Sequence, residues 1–210
     1  MIIVEVRPAR QSQVKLLIDN GEEYLVDKKT WEESVYTADS SLTMEQLDEL
    51  LSTSKRRRAE SRAVFLLSKR DLSRRELEQK LCREKGKYLP QNREMAAQTA
   101  ARMEQLGYVN DTAYAERLAV RYCQERLYPK RRTIQALQVK GIDRETAVAA
   151  VAAVEITDEE LALEFLRKKR YTVDNDEADA PRIFAAMERY GFGYEDIRRA
   201  YRHWTEEQGR

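Results

Sequence analysis

The 210-residue sequence has little of what marks several large classes of protein. Its two cysteines, Cys82 and Cys123, stand apart without CxxC spacing or a histidine cluster, which argues against a disulfide framework and a zinc site. No apolar run approaches the length needed to cross a bilayer, and the N-terminus lacks the basic and apolar regions of a secretion signal. We therefore expect a cytoplasmic protein without a membrane partner.

Signatures of catalysis are equally scarce. His203 is the single histidine, and neither a glycine-rich phosphate loop nor a GxSxG turn occurs. The acidic residues are dispersed among basic ones, without partners that would tune a pKa. We expect no enzymatic activity, no cofactor and no metal.

Glycine and proline are also few, with seven and four residues, whereas 36% of the residues are charged. This composition is typical of a helical, solvent-rich protein, and the length leaves room for two to four small domains.

A recurrence with a period of fifty residues organises the C-terminal half. The segments 137–148 and 187–198 place a large apolar residue, a glycine, an apolar residue and a glutamate at the same offsets. In both, the pattern predicts a helix that ends at a left-handed glycine, Gly141 or Gly191, and a second helix that begins near the glutamate. A related pattern upstream ends at Gly86, and Met103-Glu-Gln-Leu-Gly107 shows the same helix end outside the repeat. Such a period indicates an array of small helical units.

The first 54 residues follow a different pattern. Asp19-Asn20-Gly21 separates two short apolar runs, which is a strong signal for a β-hairpin, and residues 2–6 could add a third strand. Strand character is expected to end near residue 37, and Thr43-Met-Glu-Gln46 has the form of a capping box that begins a helix.

The remaining chain reads as three modules of three helices each. The fold class that we predict is mainly α, with tandem three-helix modules in an elongated array and a small N-terminal part that contains a β-hairpin. The predicted boundaries are 1–54 for the N-terminal part and 55–111, 112–156 and 157–210 for the modules. Ser73-Arg-Arg-Glu76 and Thr157-Asp-Glu-Glu160 are further capping boxes, and 174–179 is an acidic loop.

Charge is segregated along the chain although the net charge is only +1. Counting lysine and arginine against aspartate and glutamate, residues 1–54 carry −6, residues 55–154 carry +11 and residues 155–210 carry −4. A basic middle between acidic ends suggests that the middle meets a polyanion or an acidic protein surface, although a solvated surface of uneven charge would give the same count.

The candidate contact residues are basic side chains expected at helix starts and turns, together with one tyrosine. Arginine suits bidentate recognition of phosphate or carboxylate, and lysine suits a looser contact. Stacked modules could align the second and third clusters into one line. The candidates are Lys55, Arg56, Arg57, Arg58; Arg74, Arg75; Lys130, Arg131, Arg132; and Tyr128.

Two other groups carry less weight. The run Arg167–Arg170 has acidic neighbours, which favours a solvated face. Tyrosines at helical spacing, such as Tyr108, Tyr114 and Tyr122, belong more often to a core than to a base-stacking surface.

The order of several short motifs resembles the RecX family of recombination regulators. The similarity covers residues 55–154 well and the third module more loosely, and the N-terminal part resembles an extension found in one branch of the family. The segment Gly86–Pro90 is an insertion relative to the pattern. The motifs are Leu72-Ser73-Arg-Arg-Glu76-Leu77-Glu-Gln-Lys80-Leu81, Leu106-Gly107-Tyr108-Val109-Asn110-Asp111, Tyr114-Ala115, Arg131-Arg132, Leu137-Gln-Val-Lys140-Gly141-Ile142, Tyr190-Gly191-Phe192 and Glu195-Asp196-Ile197.

This resemblance implies a monomeric, non-enzymatic modulator of the RecA recombinase. Members of the family consist of tandem three-helix modules, bind single-stranded DNA and the recombinase, and lodge in the groove of the RecA recombinase filament, where they generally oppose its activity. An array of short modules offers a long surface that could touch more than one filament subunit.

A different class of function fits the same short helices. Helices joined by tight turns also describe a helix-turn-helix regulator that binds duplex DNA, for which the helix 130–140 with Gln135 and Gln138 would be the recognition helix. A helical adaptor that binds no nucleic acid is a third interpretation.

Overall fold

A computed structural model describes residues 1–10, 12–83, 93–169 and 179–209 of the chain. Within these ranges it contains three strands and ten helices, so the prediction of a mainly helical protein with a small N-terminal β part is confirmed. The contacts divide the chain into two compact units, Met1–Val109 and Asn110–Arg210.

The N-terminal part forms an antiparallel sheet in the order β1-β2-β3, with strands β1 (Ile3–Ala9), β2 (Gln13–Ile18) and β3 (Glu23–Asp27). The predicted hairpin is confirmed between β2 and β3. In its turn the Gly21 amide donates to the Ile18 carbonyl oxygen over 2.9 Å, and Gly21 has φ +84°. Glycine suits this position because it has no Cβ that would oppose a left-handed backbone.

The expectation that strand character extends to residue 37 is wrong. Strand β3 ends at Asp27, and the short helix α1 (Lys28–Glu32) follows directly. The Asp27 carboxylate accepts a hydrogen bond from the Thr30 amide over 3.0 Å, which satisfies a helical donor that has no partner within the helix. This local cap turns the chain into a helix despite the apolar and aromatic residues that follow.

Helix α2 (Met44–Leu67) is one continuous helix of 24 residues. The sequence predicted two helices here, and the predicted boundary between residues 54 and 55 lies inside α2. No glycine or proline interrupts the helix, but the side of the helix that is buried changes from its first half to its second half. Leu50 belongs to the core beneath the sheet with Val14, Leu16 and Val26, whereas Ala63 belongs to the next core.

The next core closes the first unit. Helix α3 (Arg74–Arg83) and helix α4 (Arg93–Gln105) pack on the second half of α2, which contributes Ala63. The insertion Gly86–Pro90 and the helix end predicted at Gly86 lie outside the described residues. The core residues are Ala63, Leu72, Leu77, Leu81, Ala96, Ala100, Met103 and Val109.

The second unit contains the six remaining helices at the places that the sequence predicted. They are α5 (Asp111–Gln124), α6 (Lys130–Val139), α7 (Arg144–Ala152), α8 (Asp158–Lys169), α9 (Asp179–Tyr190) and α10 (Tyr194–Gln208). The acidic loop predicted at 174–179 lies outside the described residues up to 178, and Asp179 begins α9.

Helices α5–α7 and α8–α10 share one hydrophobic core, which joins Leu137 and Val151 to Leu161, Met187 and Trp204. The predicted boundary at 156/157 falls between α7 and α8, so it separates two halves of one core. The three modules and their elongated arrangement stay predictions.

Local signals placed the helix ends correctly. All three capping boxes form; in the third, for example, the Glu160 amide donates to the Thr157 hydroxyl over 3.2 Å. Both glycines of the repeat are left-handed, with φ +86° at Gly141 and +115° at Gly191. The Ile142 and Phe192 amides reach back to the carbonyl oxygens of Leu137 and Met187 over 3.2 and 3.1 Å, as a Schellman motif requires.

Candidate functional site

The cluster Lys55–Arg58 lies in the middle of α2, so the expectation that it marks a helix start is wrong. Lys55 and Arg56 are exposed, and Arg57 and Arg58 are half-buried. Arg57 is engaged within the protein, because its Nη2 lies 2.6 Å from Glu33 Oε2.

The other two basic clusters lie in the first turns of α3 and α6, as predicted. Arg74, Arg75 and Arg131 are exposed. Arg74 Nη1 lies 3.2 Å from Glu104 Oε2 on α4, a surface pair that contributes little to stability. The two clusters belong to different units, and their alignment into one line stays a prediction.

Arg132 is a structural residue rather than an exposed cation. Its guanidinium carbon lies 4.1 Å from the ring centre of Tyr128 and 4.2 Å from that of Tyr190. Its Nη1 donates to the Tyr190 carbonyl oxygen over 2.6 Å, at the negative end of α9. Arg132 therefore ties α6 to α9, Lys130 is half-buried as well, and the predicted contact role of both residues stays a prediction.

Tyr128 is half-buried in a group of aromatic rings. Its ring centre lies 5.7 Å from those of both Tyr122 and Tyr190, and Arg132 lies against the ring. Burial raises the pKa of Tyr190, whose hydroxyl donates to the Arg126 carbonyl oxygen. The ring of Tyr128 is thus engaged within the second unit, and its predicted role as a base contact stays a prediction.

We expect Arg132→Ala to destabilise the second unit by about 2 kcal/mol, because it removes two cation-π contacts and a charged hydrogen bond to a helix end. The neighbouring exposed residue supplies the matched control, and Arg131→Ala should change stability by less than about 0.5 kcal/mol. Urea unfolding of the two variants measures the difference. Equal stability of the two variants would show that the Arg132 contacts contribute nothing.

A basic hollow beside these rings joins Arg126, which the sequence did not single out, to Lys168 and Lys169 of the run Arg167–Arg170. It has a volume of about 460 Å³, and Arg126, Lys168 and Lys169 lie at its edge above Phe165. Lys168 Nζ lies 3.3 Å from the Glu125 carbonyl oxygen near the end of α5. The three cations come from two segments about forty residues apart, so only the tertiary structure brings them together.

The residues of the run Arg167–Arg170 have different surroundings in the structure. Arg167 binds Glu164 and Glu207, and these hydrogen bonds, that to Glu207 above all, raise the pKa of the guanidinium. Lys168 and Lys169 are exposed. Arg170 lies outside the described residues, and the assignment of this run to a solvated face stays a prediction.

A larger groove of about 800 Å³ runs between α2 and α4 in the first unit. Arg56, Arg57 and Arg102 line it together with Gln98 and other polar residues, and Glu60 is its one acidic residue. Arg102 was not among the sequence candidates. The groove brings a predicted cluster together with a cation from a helix nearly fifty residues away.

The tyrosines and cysteines differ in how deeply they are buried. Tyr114 and Tyr122 are buried as expected, whereas Tyr108 is 58% exposed. Cys82 and Cys123 are free thiols, and burial raises the pKa of Cys123, which disfavours its thiolate. Over the described ranges, no group of three or more potential ligands could hold a metal ion.

None of the helices in the described part of the chain combines the length and apolar character that crossing a membrane requires.

Comparison with known proteins gives a curated relative and several solved structures, two of which are described below. The chain is 41% identical over 91 residues to "Regulatory protein RecX" of Agrobacterium fabrum, a match that covers 41% of this chain and 48% of that protein. The chain thus spans about half the length of the curated relative. No family model matches.

The fold is that of two crystal structures. A structure of regulatory protein RecX superposes with a TM-score of 0.67 at 16% identity and covers 98% of both chains. RecX from Lactobacillus salivarius superposes with a TM-score of 0.61 at 20% identity, over 73% of this chain and 98% of the other. This chain therefore combines a segment that is 41% identical to a RecX protein with the fold of two RecX crystal structures.

Proposed function

We propose that this chain is a non-enzymatic regulator of the RecA recombinase that binds the recombinase filament and inhibits it. The observation that carries this proposal is the combination of the 41% identical segment with the RecX fold over almost the whole chain. We propose further that it acts as a cytoplasmic monomer in recombination and DNA repair, and that it binds single-stranded DNA weakly.

The surface of the protein supports a polyanionic partner. Exposed arginines lie in the first turns of α3 and α6, and the groove between α2 and α4 contains three arginines against one glutamate. A filament that carries single-stranded DNA presents phosphates and acidic side chains to such a surface. Contacts of this kind weaken as salt rises, because binding releases counterions from the nucleic acid.

The helix-turn-helix alternative receives less support from the fold. In that motif the helix after the turn contacts the bases. Here α6, which carries the exposed Gln135 and Gln138, follows the turn at 125–129, but Arg132 in its first turn packs on Tyr190 within the protein. Competition between random single-stranded and duplex DNA separates the two functions, since a filament regulator should tolerate single strands of any sequence.

ATP hydrolysis by purified RecA recombinase on single-stranded DNA tests the proposal directly. We expect the rate to fall as the chain is added, and to fall at chain concentrations too low to cover the DNA. Unchanged hydrolysis at saturating chain would contradict the proposal. If excess DNA restores the rate of ATP hydrolysis, the chain inhibits only by competing with the recombinase for the DNA strand.

A further inference from the structure

One face of α2 carries a regular line of four cations and one phenylalanine, none of which lines the groove or belongs to the core. Its members follow one another at steps of three, four, three and four residues, which places them on one side of a helix. Lys69 lies in the turn that follows the last residue of the helix. We call this line the α2 stripe, and it consists of Lys55, Arg58, Arg62, Phe65 and Lys69.

The α2 stripe has one sign of charge along its whole length. At 1.5 Å per residue, the distance from residue 55 to residue 69 is about 21 Å. Glu60 is the single acidic residue in this segment, and it lines the groove on the α4 side of the helix. Four positive side chains therefore follow one another over several nucleotide lengths.

Phe65 is an exposed aromatic ring within this line. The residue is 48% exposed, and it is absent from the core that Leu66 and Leu67 help to form. The Arg62 guanidinium carbon lies 4.8 Å from the ring centre, and Lys69 Nζ lies 5.1 Å from it. About half of the surface of Phe65 is therefore open to a contact outside the fold.

We propose that the α2 stripe binds the backbone of single-stranded nucleic acid and that Phe65 stacks on one of its bases. The inference rests on the proposed function, and it names the DNA-binding residues within it. Proteins that bind single strands without sequence preference combine a line of cations with aromatic rings of this kind, because every base has a π-face. The cations that now contact the ring lie on flexible side chains, which can move to neighbouring phosphates.

Charge and shape favour a nucleic acid over an acidic protein segment. A docking site for a protein normally surrounds its aromatic anchor with other apolar residues in a pocket. Phe65 instead has Arg62 and Lys69 against its ring, and Ser61 and Ser68 follow the same side of the helix. A ring flanked by cations on a convex helix suits a base with a phosphate on either side.

The test is the affinity of the full chain for an oligo(dT) strand at several salt concentrations. Phe65→Leu keeps the apolar surface but removes the aromatic ring, and we expect about tenfold weaker binding with an unchanged salt slope. Lys55→Gln and Lys69→Gln should each reduce the slope of log affinity against log salt by about 0.7. Val64→Ala changes an exposed apolar neighbour that lies off the α2 stripe, and it should bind as the unmodified chain does.

A second variant reports on stacking itself. In Phe65→Trp, oligo(dT) should quench the fluorescence of the new tryptophan. The unmodified chain, which contains Trp31 and the 1% exposed Trp204, gives the background and should show little quenching. Binding by Phe65→Leu equal to that of the unmodified chain, or a tryptophan that is not quenched, would overturn the inference. A Phe65→Leu variant that binds oligo(dT) normally but binds DNA-free recombinase less tightly would also overturn it, because the α2 stripe would then contact the recombinase rather than DNA.

The two levels of the proposal can fail separately. If the unmodified chain inhibits recombinase ATP hydrolysis but does not bind oligo(dT), the α2 stripe is overturned while the regulatory function stands. If the chain binds oligo(dT) through Phe65 but leaves ATP hydrolysis unchanged, the regulatory function is overturned while the α2 stripe stands.

Discussion

Reversing the exposed arginines at the starts of α3 and α6 should reduce inhibition of the recombinase more than tenfold. The variant Arg74→Glu/Arg75→Glu/Arg131→Glu turns three cations into anions, so contacts with phosphate or carboxylate become repulsive. Arg132 is left in place because it holds α6 to α9. Folding should change little, since exposed charges contribute little to stability and glutamate is favourable in a first helical turn. The measurements are recombinase ATP hydrolysis and the melting temperature.

A matched control separates a contact surface from a general effect of charge. Arg182, Arg198 and Arg202 are exposed and lie in the net-acidic third part of the chain. Their reversal to glutamate changes the net charge equally and should leave most of the inhibition. Arg198 pairs with Glu195 as Arg74 pairs with Glu104, so the two variants each break one such ion pair, whereas Arg167 is less suitable because it binds both Glu164 and Glu207. Equal loss in both variants would indicate nonspecific electrostatics, and full inhibition by the first variant would remove α3 and α6 from the interface.

Replacing Trp204 should destabilise all six helices of the second unit together. Trp204 is 1% exposed and belongs to the core that α5–α7 share with α8–α10. Trp204→Ala should cost about 3–5 kcal/mol, the usual range for a tryptophan deleted from a core. Hydrogen exchange of backbone amides should show lower protection in α5–α7 as well as in α8–α10, because one core opens as one cooperative unit.

The neighbouring histidine provides the control for this experiment. His203 is exposed, so His203→Ala should change stability by less than about 0.5 kcal/mol. If Trp204→Ala lowers protection in α8–α10 alone, the two sets of helices fold independently, and the predicted modules 112–156 and 157–210 would be separate folding units.

The sequence predicted the helices well but the grouping of helices less well. The glycine recurrence and the capping boxes depend on hydrogen bonds between residues a few positions apart, and they occur in the structure as expected. The prediction of two helices on either side of residue 54 was wrong. The apolar residues of α2 move to a different side of the helix along its length, and in the sequence this change looks like the end of one helix and the start of another. Nothing in the local sequence shows that one helix serves two cores.

The candidate site shows the same contrast. The sequence identified Arg131 and Arg132 as equivalent cations, but Arg132 reaches Tyr190, 58 positions away, and Arg131 remains exposed. Phe65 was not singled out, because an apolar residue next to Leu66 and Leu67 is indistinguishable from a core residue by composition alone.

The sequence by itself determined the class of fold, the hairpin, the positions of most helix ends and the resemblance to the RecX family. Each of these depends on side chains that act on backbone groups nearby, or on the order of short motifs. Only the tertiary structure decided which cations are exposed, which hold helices together and which lie beside an aromatic ring. Many of those properties depend on contacts between segments distant in the sequence, such as that of Arg132 with Tyr190, 58 positions away, and these contacts form only when the cores pack.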